Sequence, residues 1–246
     1  MKESEMIFGI HAIVEALEAN REIDKVLVKK DLSSELSNRL FLALKDHPMV
    51  QVQRVPVQKL NSYTLKNHEG AIALVSKIEY QKLSGIVPAV YEEGKDPLIV
   101  MLDGVTDVRN FGSIARTCEC AGADAVVIPI KGGAMVNADA MRTSAGALNS
   151  IPVCKERSLT EAIRFARNSG LKVIAVAKGA HKMYTDVELS GPIALVFADD
   201  KTDVSADVLR SCDVVVSVPT RGAIDSLNVS VAAGVVLYEA MKQRVN

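Results

Sequence analysis

Three segments of this 246-residue chain gather polar residues and glycine just where an apolar run ends, which is where a chain most often presents chemistry. The first, Asp103–Gly122 (DGVTDVRNFGSIARTCECAG), follows the run LIVML and leads into helix-spaced Ile114 and Cys118. This reading sets Asn110 and Gly112 at the turn and Arg116 one turn into the helix. A guanidinium near a strand end calls for a carboxylate or a phosphate, because burying it unpaired is costly. Asp103 and Asp107 are near enough in sequence to serve as purely structural partners, and that reading stands beside a functional one. The second segment, Phe197–Ser205 (FADDKTDVS), taken alone reads as an acidic surface loop. The third, Val218–Asn228 (VPTRGAIDSLN), runs through Pro219 and Gly222 to the expected start of a last helix. Ser226 and Asn228 are poor inside a helix and good at its start. Plain capping accounts for Ser226 better than for Asn228.

The elements that must hold these segments are α/β in pattern. Continuous apolar runs at 98–102, 124–130, 171–177, 193–198 and 213–218 read as parallel strands buried on both faces. Helical stretches separate them. Ser158 and Glu161 have capping-box spacing at the head of one that runs to Asn168, with Gly170 just past its end. Ser205 is placed to cap a short helix through Leu209, and the last helix is predicted from Ser226 to Gln243. In such a fold ligands bind beyond the carboxyl ends of the strands, where all three polar segments fall.

Residues 1–77 form a smaller α/β unit. Ile10, Ile13, Val14 and Leu17 recur at helical spacing, and Lys25–Lys30 is a β-prone run. A second helix, capped by Ser33 or Ser34, carries Leu36, Leu40, Leu42 and Leu44 and stops before Pro48. An alternating strand at 49–55, a short helix around Leu60 and the apolar strand 71–77 complete it. Residues 78–96, with Gly85, Pro88 and Gly94, read as a linker with room for one short helix, and residues 97–246 as the second domain.

Composition narrows the function. The chain is 48% hydrophobic and 24% charged, ordinary for a globular protein, and its 4% aromatic content without Trp demands aliphatic cores. A formal net charge of −1 leaves nucleic-acid contact to local basic patches. In the first domain Lys29, Lys30, Arg54, Lys59 and Lys66 are the candidates for phosphate contact; each reads equally well as solvated surface. Cys118, Cys120, Cys154 and Cys212 lack zinc or redox spacing, and the four histidines are scattered, so no metal site is expected. Reduced thiols, no signal sequence and no apolar run near membrane length lead us to expect a cytoplasmic protein. The loop after 98–102 lacks a GxGxxG fingerprint, which counts against a dinucleotide-binding enzyme.

Together the segments carry more than each alone. Asn110-Phe-Gly112-Ser-Ile114-Ala-Arg116-Thr117 and Ser226-Leu-Asn228-Val-Ser230-Val-Ala-Ala-Gly234 resemble motifs of the SpoU (TrmH-like) RNA 2′-O-ribose methyltransferase family, part of the SPOUT superfamily. Ser144–Gly146 looks like the family's linking helix. FGIHAIVEAL and HEGAIALV (68–75) look like the ribosomal-protein-like RNA-binding domain of its 23S rRNA guanosine branch. The resemblance implies a trefoil-knotted, parallel-sheet α/β domain that dimerises, binds S-adenosylmethionine and methylates structured RNA, with ribosomal RNA first and transfer RNA second as substrate. It assigns chemistry to Asn110, Arg116, Asp200, Ser226 and Asn228, and cofactor contact to Ala177, Phe197, Ala198, Val218, Pro219 and Leu227.

One motif departs from the pattern. Where the family has GxExxG, this chain has Ala198-Asp-Asp200-Lys-Thr-Asp203, filling both glycine positions and shortening the glutamate. Glycine at such places supplies positive φ or close approach to a ligand. The departure keeps open a second expectation, an RNA-binding dimer impaired in catalysis.

Overall fold

The computed structural model describes residues 6–33, 35–199 and 202–245. The chain divides into two compact units: Met1–Glu79 with Met135–Asn137, and Tyr80–Ala134 with Ala138–Asn246.

The first unit is a four-stranded mixed sheet clad on both faces. Its elements are β1 (Met6–Phe8), α1 (Ile10–Glu18), β2 (Ile23–Lys29), α2 (Glu35–Lys45), β3 (Gln51–Val55), α3 (Val57–Asn61) and β4 (Ala71–Val75). The strand order is β1-β4-β2-β3, with β2–β3 parallel and the other two pairings antiparallel. Strand alternation decides the two cores. Val26, Val28, Ala71 and Ala73 meet α1 and α2 through Ile13, Leu17, Leu40 and Leu44, while Leu27, Ile72 and Leu74 meet Val55 and Leu60 on the other face. Of the four leucines this helix was expected to carry, Leu40 and Leu44 are buried and Leu36 and Leu42 are exposed. Ser34, one of the two expected caps, lies outside the described residues. The Val136 N–H, from the short stretch that joins this unit, donates to the buried Asp24 carboxylate at 3.2 Å.

The second unit holds seven strands: β5 (Leu98–Asp103), β6 (Ala125–Pro129), β7 (Val153–Glu156), β8 (Lys172–Val176), β9 (Lys182–Met183), β10 (Ile193–Ala198) and β11 (Val214–Ser217). All pair in parallel, in the order β7-β6-β5-β10-β8-β11-β9. Its helices are α4 (Leu83–Glu92), α5 (Val108–Cys120), α6 (Ala138–Thr143), α7 (Leu159–Asn168), α8 (Ala206–Ser211) and α9 (Val229–Val245). One cluster joins Ile99, Met101 and Val127 of the sheet to Leu159, Ile163 and Ala166 of α7 and Val208 of α8. Leu83 and Val87 of α4 belong to the same cluster. That burial explains a ten-residue helix in a stretch rich in Gly and Pro. Pro88 removes one backbone bond, and the apolar face together with the Leu83 N–H, which donates to Glu156 Oε1 at 3.0 Å, offsets the loss.

The five expected strands are present. The two additional ones, β7 and β9, are short and carry charge or polarity, so their sequences lack an apolar run. Ser158 and Ser205 sit at the N-caps of α7 and α8, yet neither side chain caps. Ser158 Oγ instead lies 2.6 Å from Thr160 Oγ1, so the expected capping box does not form. Among the described residues no helix is long and apolar enough to cross a membrane.

Candidate active site

Asp107, rather than a turn at Asn110, opens α5. Its side chain accepts from the N–H groups of Arg109 and Asn110 at 2.8 and 3.0 Å, satisfying donors that a helix start leaves open. Asn110 and Gly112 therefore lie in the first turns of α5 and not in the loop before it. Gly112 is required by packing: a Cβ there would stand 2.6 Å from the carbonyl oxygen of Ala140 in α6. The glycine lets α5 and α6 touch backbone to backbone.

The third motif also shifts. The last helix begins at Val229, three residues after the expected start, and Asn228 is its capping residue. Asn228 Oδ1 accepts from the Ser230 N–H at 3.0 Å and the Ser230 hydroxyl at 2.6 Å. Ser226 stands in the preceding loop and donates to Asp225 Oδ1 at 3.2 Å. Sequence reasoning gave the cap to Ser226 because both residue types suit it; the chain path, which residue type does not reveal, gives it to Asn228.

With its oxygen turned to the helix, Asn228 directs its Nδ2 to Asn110 Oδ1 at 3.2 Å. The first and third motifs thus meet 118 residues apart in sequence. At the opposite end of α9, Arg244 donates to the carbonyls of Asp96 and Leu189 at 2.9 and 3.2 Å, fixing the helix against the sheet.

Beside this junction a cleft of about 240 Å³ opens at the carboxyl ends of β8, β10 and β11. Ala177, Phe197, Ala198, Val218, Pro219, Leu227 and Ser226 all line it. The apolar wall is joined by Lys178 and by the carboxylates of Asp199, Asp203 and Asp225, with Lys178 Nζ 3.7 Å from Asp225. Of these, Asp203 stood out in the sequence as the residue in a glycine's place, whereas Lys178, Asp199 and Asp225 did not, since nothing in their spacing tells a cleft wall from a solvated loop.

Arg116 faces elsewhere. It is exposed, and among the described residues it forms no ion pair; Asp107 caps α5, and Asp103 accepts from the Ser205 N–H at 2.8 Å. The structural pairing of Arg116 with either carboxylate is thereby set aside. Arg116 instead borders a shallow depression with Glu119, Cys120 and the segment Ser144–Ala147. Ala145 there takes a left-handed φ of 50°, held by buried Ser144, whose Oγ donates to the Met141 carbonyl at 2.9 Å.

The middle motif resolves into two different cases. Ala198 is an extended β10 residue in register with Asp103, so its backbone does not require glycine's positive φ. Asp203 has φ 55°, a conformation glycine adopts freely and aspartate tolerates. Its Oδ1 accepts from the Val204 N–H at 2.8 Å. Asp200 lies outside the described residues.

The five basic candidates lie in the first unit. Arg54 Nη1 donates to the Lys30 carbonyl at 3.0 Å and its guanidinium sits 5.4 Å from the Phe41 ring centre. Lys59 lies 5.5 Å from the Tyr63 ring and Lys66 5.7 Å from the Phe8 ring. Lys29 is half-buried at the end of β2 and Lys30 is exposed. Among the described residues no three His, Cys, Asp or Glu side chains are grouped to hold a metal. The free Cys118 and Cys154 are buried, Cys212 is half-buried and Cys120 is exposed. Burial pushes Cys154 and Cys212 up to about 12 and Cys118 higher still.

Comparison with known proteins agrees with this arrangement. Residues 97–238 match the SpoU rRNA methylase family, and residues 6–81 match the RNA 2′-O ribose methyltransferase substrate-binding family. A 23S rRNA (guanosine-2′-O-)-methyltransferase of Vibrio parahaemolyticus, RlmB, is 31% identical, with 98% of each chain covered. YacO of Bacillus subtilis, named a putative TrmH family tRNA/rRNA methyltransferase, is 28% identical over 99% of this chain and 97% of its own. Among solved structures, an RNA 2′-O ribose methyltransferase superposes with a TM-score of 0.57 at 26% identity, covering 98% of this chain and 89% of that one. The AdoMet complex of AviRb from Streptomyces viridochromogenes gives 0.62 at 24% identity, covering 98% and 90%, and shares the fold. With the motifs joined, the parallel sheet in place and both units matched, the chain belongs to the SpoU rRNA methylase family.

Proposed function

We propose that this protein transfers a methyl group from S-adenosylmethionine to a ribose 2′-hydroxyl of structured RNA, most specifically a guanosine of 23S rRNA, and that it does so as a cytoplasmic homodimer with a trefoil-knotted second unit. The observation that carries the reading is the Asn110–Asn228 hydrogen bond beside a cleft at the carboxyl ends of three parallel strands. The cleft's chemistry suits the cofactor: an apolar wall for an adenine face, carboxylates for cationic groups and Lys178 for a carboxylate. Ala177, Phe197, Ala198, Val218, Pro219 and Leu227 would hold it, and when bound it supplies an electrophilic methyl group.

This chain's own residues then have three tasks. Asn228 and Asn110 lock the start of α9 to α5, which keeps the loop bearing Ser226 and Leu227 against the cleft. Arg116, which forms no ion pair among the described residues, orients the ribose and steadies the developing alkoxide, while the proton leaves by another acceptor. Ser226, one of the cleft-lining residues, helps fix the attacking oxygen's approach. Because Arg116 is not in the cleft of its own chain, a second copy is the natural source of the facing half. Half-exposed Val231 and Tyr238 on α9 support an apolar face for that copy. In the first unit Lys29, Lys30, Arg54, Lys59 and Lys66 contact phosphates of the RNA.

The test is transfer of labelled methyl groups to total RNA from a strain lacking this protein, followed by mapping of the 2′-O-methyl site. Arg116→Ala should retain the fold and lose transfer; undiminished transfer would remove Arg116 from the mechanism. A second reading, an RNA-binding dimer impaired in catalysis, draws support from the Asp203 carboxylate in a glycine's place on the cleft wall. Calorimetry decides between them, since no heat at millimolar S-adenosylmethionine favours the second.

A further inference from the structure

Leu65 keeps 90% of its surface in water, more than any other large hydrophobic side chain among the described residues. It stands at the tip of the loop between α3 and β4, and that loop is pinned along its length. The Tyr63 N–H donates to the Leu60 carbonyl at 2.9 Å, the Lys66 N–H to Thr64 Oγ1 at 3.2 Å and the Glu69 N–H to Asn67 Oδ1 at 3.3 Å. The far end is tied by His68. Its Nδ1 accepts from the Gly70 N–H at 3.0 Å, so in the neutral ring Nε2 carries the proton and donates to Asn61 Oδ1 at 2.9 Å. Glu69 Oε2 accepts from the Ile10 N–H at 2.7 Å, which fastens the loop to α1. A slack loop could fold a leucine back onto the protein; this one holds it outward. Two cations come from the same stretch of chain, each over a ring: Lys66, next to Leu65 in sequence, at Phe8, and Lys59, in α3 before the loop, at Tyr63.

We propose that Leu65 is an apolar wedge that packs against the faces of unstacked RNA bases while Lys59 and Lys66 take the adjoining phosphates. The pairing of a rigidly displayed aliphatic side chain with flanking cations fits a partner that alternates apolar faces with negative charge, which is the chemistry of a splayed RNA loop. The inference rests on the reading that this protein acts on RNA and names the residue that would read the bases' faces.

The test uses the full chain, fluorescein-labelled fragments of ribosomal RNA, and heparin as a polyanion without bases. Leu65→Ala should weaken RNA binding about fivefold, roughly the loss of 1 kcal/mol of apolar contact. Heparin binding and the salt slope should stay unchanged, and Leu65→Met should restore affinity. Lys59→Ala and Lys66→Ala should weaken both ligands and each lower the salt slope by about 0.7–0.9. Leu65→Ala binding RNA as the wild type does, or losing RNA and heparin equally, would overturn the wedge. A wild type with no preference for RNA over heparin would overturn the RNA reading itself and the wedge with it. The exposed position leaves folding intact, which matched thermal unfolding of the variant checks.

Discussion

Replacing Gly112 with Ala places one methyl group where α5 and α6 meet, and two physical effects then pull in opposite directions. The new Cβ would lie 2.6 Å from the Ala140 carbonyl oxygen, 3.0 Å from Thr143 Cβ and 3.1 Å from the Ser144 nitrogen. Heavy atoms attract at roughly 3.5 Å, so the backbones must part by somewhat under about 1 Å. Helix propensity alone favours alanine by about 1 kcal/mol. Overpacking costs about 1–3 kcal/mol, and its upper range applies because the obstacle is backbone, with no rotamer to swing away. The net is a loss of about 1–2 kcal/mol, or about 2–8 °C in melting temperature for a chain of this length. Thermal unfolding followed by circular dichroism measures it. Since Ser144 borders the Arg116 depression, methyl transfer should fall while affinity for S-adenosylmethionine, which we propose sits in the separate cleft at the ends of β8, β10 and β11, changes little. A variant as stable as the wild type, or more so, would refute the close-approach account and leave propensity in charge.

Asn228→Ala should cost about 1 kcal/mol through the lost cap and should also reduce transfer. Asn228→Ser keeps a capping oxygen but is too short to bridge to Asn110, so it should recover stability in denaturant melts without recovering activity. At Asp203, glycine should be tolerated within about 1 kcal/mol, whereas valine, which resists positive φ, should destabilise by about 1–2 kcal/mol more; paired urea titrations read the difference. Burial holds the Asp124 carboxyl above its ordinary range, opposed by the bond it accepts from the Leu98 N–H and by Arg244 and Lys95. Its folded pKa exceeds the unfolded one, so the charged form weakens the fold at neutral pH and the penalty fades as pH falls through the raised value. Asp124→Asn should therefore be more stable than wild type at pH 7, with the gap closing toward about pH 4. A gap that widens on acidification would reverse the sign of this assignment.

Much of the architecture was readable in the order of residues. Apolar runs buried on both faces announce themselves, and β5, β6, β8, β10 and β11 stand where LIVML, DAVVIPI, LKVIAVA, IALVFA and DVVVSV predicted them. Polar clusters at their ends marked the candidate site, because a parallel sheet gathers strand termini on one edge. Helix α4 was obscured by Gly85 and Pro88, whose local preference yields to the burial of Leu83 and Val87. Strands β7 and β9 were hidden because pairing, rather than an apolar pattern, makes them strands.

Residue types and spacing by themselves determined the parallel α/β frame and marked the segments we propose to carry chemistry: two motifs, their glycines and their asparagines. Only the tertiary structure decided what those residues do for one another. It made Gly112 a contact point and not a turn, gave the cap of α9 to Asn228, drew Asn110 to it across 118 positions and turned Arg116 away from the cleft. Local preference acts over a few residues, whereas a hydrogen bond or a backbone clash between distant segments exists only once packing has brought them within about 3 Å.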